Sequence, residues 1–152
     1  MKTGKESDVQ VYRAVREYRE KYSDKAVIYN TPGANRFGWP VLMAGGSLPA
    51  LPKITISGFY ESLANMKPTQ DENYNSAIWT LKNNGESYLF FAQKANKITV
   101  DLSNDKGNFE LFWINPDNGT QIAKESIQGK SVHNLTVPGG KETKIVAYIK
   151  KK

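Results

Sequence analysis

The stretch from Ile98 to Ile122, ITVDLSNDKGNFELFWINPDNGTQI, decides the fold. Ile98, Val100 and Leu102 alternate with Thr99 and Asp101, the period of a strand with one buried face. Phe109, Leu111 and Trp113 form a second such row. Asn115-Pro116-Asp117-Asn118-Gly119 then combines five turn-forming residues, which ends the strand. Two strands within 25 residues, bounded by turn chemistry, read as part of an antiparallel sheet.

The same period runs outward in both directions. Ala77, Trp79 and Leu81 alternate with Ile78, Thr80 and Lys82, and Asn83-Asn84-Gly85 is a hairpin signal. Ser87 to Gln93 is apolar on both faces. Gln121 to Ile127 is a weaker strand, and Ser131 to Val137 and Lys144 to Ile149 close the series around Pro138-Gly139-Gly140. About seven short strands with Gly, Pro and Asn between them indicate an antiparallel β-sandwich, so the chain is mainly β.

Upstream the pattern changes. Ser7 to Tyr22 has helical spacing, with Val11, Val15, Tyr18 and Tyr22 in one row and Ser7 or Asp8 as N-cap. Lys25 to Tyr29 is a short apolar strand, and Asn30 to Asn35 is a turn. Helix, break, strand and loop is the rhythm of a parallel sheet. Phe37 to Pro52 carries three prolines, which argue against one long helix, and Gly45-Gly46, which permits close backbone approach. Ile56 to Met66 predicts a short helix capped by Ser57, with Phe59, Leu63 and Met66 on one side. Lys67 to Asn75, polar and containing Pro68, reads as a linker. The expected organisation is an α/β segment with one or two helices over residues 1–70, then the sandwich over 74–152.

Composition narrows the function. The 152 residues include no cysteine and one histidine, His133, which excludes disulfides, thiolate chemistry and multi-His metal sites. No cofactor and no metal are expected. The net charge of +6 is dispersed, with nine basic and five acidic residues among the first 60 and twelve and ten thereafter, so no nucleic-acid partner is expected. No apolar run approaches the ~20 residues of a membrane helix, so no membrane insertion is expected. The opening Met-Lys-Thr-Gly-Lys-Glu lacks the apolar core of a signal peptide.

Candidate chemistry is sparse. A glycosidase needs two carboxylates about 5 to 9 Å apart, and Glu86, Asp101, Asp105, Glu110, Asp117, Glu125 and Glu142 show no such spacing. Ser131 shares a strand face with His133, but no orienting acid accompanies them and no G-x-S-x-G is present. Gly45-Gly46-Ser47 lacks the spacing of a phosphate loop. No catalytic residue is therefore assigned, and a small hydrolase in its own right is disfavoured. Aromatic faces could stack on sugars. Trp39, Tyr74, Phe112 and Tyr148 are the ligand-binding candidates, with Phe112 and Tyr148 expected to be more exposed by parity. Trp79 and Trp113 share faces with aliphatic neighbours and read as structural, as do Asn115, Pro116 and Gly119 in the turn. Asn118-Gly119-Thr120 and Asn134-Leu135-Thr136 match the glycosylation acceptor pattern.

An apolar strand ending in Asp-Leu-Ser, followed by a strand ending in Trp-x-Asn-Pro-x-x-Gly, resembles the C-terminal domain named collagen-binding in some bacterial secreted proteins. That domain typically follows the (β/α)₈ barrel of a glycoside hydrolase. SYLFFAQ fits its preceding strand, and the resemblance covers Asn75 to Lys152. YREKYSDKAVIYNT and GWPVLMAGGSLPALP look like the last helix-strand units of such a barrel. The resemblance implies a noncatalytic accessory domain of a secreted glycoside hydrolase. Its partner would be the upstream catalytic barrel of the same polypeptide, with polysaccharide contact as a further expectation. The alternative is an extracellular adhesion module that binds collagen or another matrix protein. Either implies a secreted, periplasmic or cell-surface location.

Overall fold

The computed structural model describes residues 7–69 and 76–152. They cluster into two compact units, divided after Leu51.

The first unit opens with helix α1, Asp8–Lys21. Ser7 caps it, accepting from the Gln10 amide at 3.3 Å, while the Gln10 side chain accepts from the Ser7 amide at 2.8 Å. This reciprocal box satisfies two of the helix's orphan donors. Val11, Tyr12 and Val15 are buried, but Tyr18, expected in the same apolar row, is 60% exposed. The Arg19 guanidinium then donates to the Ser23 and Lys25 carbonyls at 3.0 and 2.7 Å, fixing the turn out of the helix. Ile28 pairs in parallel with Ser47, and the Ser47 amide donates to the Val27 carbonyl at 2.7 Å. Between these paired residues lies α2, Gly38–Met43, every residue of which is buried. Pro40 fits because it stands in the first turn, where its missing N–H is not needed. Gly45 has a φ of 82°, and a Cβ on Gly46 would lie 2.6 Å from a Val41 methyl group, so both glycines serve the close return of the chain.

The second unit is the sandwich. Among the described residues eight strands form it: β1 (Lys67–Pro68), β2 (Ile78–Asn83), β3 (Ser87–Ala92), β4 (Lys97–Asp101), β5 (Asn108–Ile114), β6 (Gln121–Gln128), β7 (Val132–Thr136) and β8 (Ile145–Lys151). Six make one antiparallel sheet in the order β1-β2-β3-β8-β5-β6, and β4 pairs with β7. The core lies between the two sheets. Ile98 and Val100 of β4 pack with Tyr88, Phe90, Phe109, Leu111, Trp113, Ile145 and Ile149 of the larger sheet. The extra strand comes from the expected linker: Lys67 and Pro68 pair with Lys82 and Leu81 of β2. Proline is admissible there because β1 is an edge strand.

The other face of the larger sheet is buried as well. Residues 52–69 belong to this unit and include α3, Phe59–Leu63. Its N-cap is Gly58 at φ 77°, not Ser57. Phe59 meets Tyr148 edge-on at 5.1 Å between ring centres, and the Ser62 and Tyr148 hydroxyls lie 2.6 Å apart. The Lys150 ammonium donates to the Ser57 carbonyl at 2.9 Å. Covered on both sides, β8 is buried from Ile145 to Ile149, as a central strand with two packed faces must be.

Candidate functional site

The aromatic candidates come out of the sheet faces. Phe112 is 5% exposed and Tyr148 is fully buried, contrary to the expectation from parity. Alternation had assigned them correctly to the face opposite Trp113. That face is not solvated, because residues 52–69 lie on it. Phe112 stacks on Tyr148 at 5.9 Å, and the ammonium groups of Lys124 and Lys150 lie 5.2 and 5.6 Å from its ring centre. Burial raises the Tyr148 pKa, as expected for a phenol withdrawn from water. Trp39 is buried in α2. Trp79 is buried on the same sheet face as Phe91, its partner in β3, with the rings stacked at 5.7 Å. Trp113 lies between the sheets. Tyr74 falls outside the described residues. The structure therefore brings Phe112 and Tyr148 together as packing partners and leaves none of the four described aromatics Trp39, Trp79, Phe112 and Tyr148 as a free stacking platform.

The carboxylates are held one at a time. Glu125 accepts from the Trp113 indole N–H at 3.0 Å. Glu110 pairs with Lys124 at 2.7 Å, and that hydrogen bond lowers its pKa. Asp101 accepts from the Ser103 amide and hydroxyl, which lower its pKa in turn. Asp105 accepts the Tyr88 hydroxyl. Burial first, and then this bond, push the Tyr88 pKa up to about 12. Each of these carboxylates thus has its own structural partner. Among the described residues no cluster of three or more His, Asp or Glu could hold a metal ion.

Ser131 and His133 do meet, with Oγ and Nε2 3.0 Å apart. The same Nε2 lies 2.6 Å from the Gln128 carbonyl, which can only accept, so Nε2 carries the proton. A protonated Nε2 cannot take a proton from Ser131, and the pair is no nucleophile–base couple.

The turn after β5 is a packing device. The Asn115 side chain accepts from the Asp117 amide at 2.8 Å, and the Asn118 side chain accepts from the Thr120 amide at 3.0 Å. Gly119 has a φ of 76°, and a Cβ there would stand 2.4 Å from the Lys53 carbonyl oxygen. The turn thus closes on the segment that covers the sheet.

Within the first unit, an open apolar groove of about 590 Å³ runs between α1 and the segment Lys25–Tyr29, where the expected strand is reduced to the single bridge at Ile28. Val15, Tyr18 and Tyr22 line one wall, and Val27, Ile28 and Tyr29 the other. Tyr18 and Tyr22 stack at 6.1 Å, and Ile28 is 57% exposed. Sequence periodicity had placed Tyr18 in a buried row; the signal was sound for the first two helical turns and had no covering partner for the last.

Comparison with known proteins gives a partial likeness. A family model described as a domain of unknown function, DUF6298, matches residues 1–66. No curated protein matches. Two solved structures resemble the fold: one described as a glycoside hydrolase, with a TM-score of 0.51 and 14% identity, and a glycoside hydrolase family 5 protein from Bacteroides vulgatus, with 0.51 and 12%. The likeness covers 83% and 81% of this chain but only 38% and 36% of theirs. Collagen enters in none of these likenesses. Among the described residues, no helix is long and apolar enough to cross a membrane.

Proposed function

We propose that the chain is the noncatalytic C-terminal part of a longer glycoside hydrolase, in which the first unit, up to Leu51, completes a (β/α)₈ barrel and the sandwich buttresses it. The observation that carries this reading is the burial of both faces of the sheet's central strands, β3, β8 and the end of β5, which turns their aromatics into packing. A sheet so enclosed fits a supporting role better than a stacking surface for polysaccharide. The partial coverage of the glycoside hydrolase structures supports the same view, since most of each of those chains lies outside the likeness. A secreted, periplasmic or cell-surface location goes with this role through the family resemblance.

The test is an assay of the isolated chain against a broad polysaccharide panel. No turnover is expected. Turnover abolished by substitution of a single carboxylate, such as Glu110→Gln or Asp101→Asn, would overturn the noncatalytic assignment.

A further inference from the structure

We propose that the uncovered end of the larger sheet's outer face is a binding surface for an acidic polysaccharide, one that carries carboxylate or sulfate groups. This goes beyond the supporting role and rests on the glycoside hydrolase reading only for the choice of a polysaccharide among polyanions. Strand register brings the groups together. Phe109, Leu111 and Trp113 of β5 face the core, so Asn108, Glu110 and Phe112 face the other way. Glu110 stands opposite Ser126 of β6 on one side and Lys150 of β8 on the other. Phe112 stands opposite Lys124, and Asn108 opposite Gln128. Lys152, two residues beyond Lys150, falls on the same face, and its amide donates to the Asn108 carbonyl at 2.9 Å. Charge that is dispersed along the sequence is thus gathered by the pairing of β5 with β6 and β8.

The side chains follow that geometry. The Lys124 ammonium lies 2.7 Å from the Glu110 carboxylate, and the Lys152 ammonium donates to the Ser126 hydroxyl at 2.8 Å. The bond from Lys124, and then the charges of Lys124, Lys150 and Lys152, hold Glu110 below the usual carboxylate range. One carboxylate balances only one of these three cations. The segment that covers the sheet reaches Lys150, whose ammonium donates to the Ser57 carbonyl. Past it, Asn108, Lys124, Ser126, Gln128 and Lys152 are exposed, whereas Val146 and Tyr148 on the same face are buried.

Charge complementarity selects an anionic occupant. The Asn108, Ser126 and Gln128 side chains both donate and accept hydrogen bonds, which matches the hydroxyls of a sugar chain. Phe112, the aromatic ring of the patch, is buried and offers no plane on which a base could stack. The cations are lysines; the chain's four arginines all precede Phe37, and nucleic-acid recognition favours the forked guanidinium. The surface therefore fits an acidic sugar chain better than a nucleic acid, and it works by charge where the buried aromatics cannot stack.

Binding of the 152-residue chain to polygalacturonate, measured by biolayer interferometry over a salt series, tests the proposal, with dextran sulfate, neutral galactan and duplex DNA as further probes. Saturable binding to polygalacturonate or dextran sulfate is expected, weakening as salt is raised, and the tighter of the two names the anionic group. Lys124→Gln and Lys152→Gln should each weaken it about two- to fivefold, as expected for one exposed charge pair. Glu110→Gln should tighten it by about the same factor, a gain that loss of folding cannot produce. Lys97→Gln, in β4 of the other sheet, should leave it unchanged. Absent binding overturns the proposal, as does equal binding to neutral galactan, binding to DNA as tight as to either polysaccharide, or a Glu110→Gln variant that binds no better than the native chain. Polysaccharide turnover by the 152-residue chain would sink the noncatalytic reading and leave the charge dependence of binding untouched. Absent binding with no turnover would sink this surface alone.

Discussion

Trp113 is the largest commitment made by a single side chain between the two sheets. Its ring is 2% exposed, and its indole N–H reaches out to Glu125. Truncation to alanine removes the ring and strands the carboxylate, so Trp113→Ala should cost about 3 to 5 kcal/mol, measured by chemical denaturation. A variant with an unchanged midpoint would show that the ring does not support the core. At Gly119 the difficulty is backbone rather than volume. The positive φ and the Lys53 carbonyl at 2.4 Å from a virtual Cβ leave no room for alanine, and Gly119→Ala should cost about 1 to 3 kcal/mol in the same experiment. Tyr88 gives a pH signature. Its folded pKa, raised to about 12 from 10.0, favours the neutral phenol, so its contribution is intact below pH 10 and is lost as pH rises towards 12. The melting-temperature advantage of the native chain over Tyr88→Phe should therefore stay level below pH 10 and shrink above it. An advantage that persists undiminished to pH 12 would show that the phenol's ionisation is not linked to folding.

At the level of elements, what could be read from the sequence and what could not have one physical origin. Alternation reports which residues share a face; it does not report what lies on that face. Hence Phe109, Leu111 and Trp113 were legible as one row, and the opposite parity of Phe112 and Tyr148 was legible too, yet their burial was not. The cover arrives from residues 52–69, whose short helical row was legible but whose sequence does not say which sheet face it will lie on. Lys67 and Pro68 likewise looked like linker because an edge strand of two residues is too short to show a period. The bond between Glu125 and Trp113 depends on the register of β5 against β6, which no single strand reveals. Element boundaries can be tested by truncation. Chains beginning at Pro52 and at Ser76 differ only in that cover and the residues that follow it. The longer should melt cooperatively, and the shorter should melt at lower temperature and bind a hydrophobic dye through its bared sheet face. Equal melts would show that residues 52–69 are dispensable to the sandwich.

For the molecule as a whole, the two units differ in self-sufficiency. The sandwich has a core enclosed by its own strands. Among its described residues the first unit has two α-helices, a short 3-10 helix and one parallel bridge to set against an ordering cost of about 1 to 2 kcal/mol per residue. Residues 1–51 alone should therefore show a broad, non-cooperative thermal transition by circular dichroism; a sharp one would mean that this segment is a domain in its own right. A last consequence follows from the turn at Asn115–Gly119. Its two asparagines are spent on bracing their own loop, and its glycine is spent on admitting a neighbouring carbonyl. The spelling Trp-x-Asn-Pro-x-x-Gly is thus the imprint of a latch between a strand end and the segment that crosses the sheet. Chains collected by that spelling would be gathered by shared joinery, and their ligands would be free to diverge on surfaces that the spelling never touches.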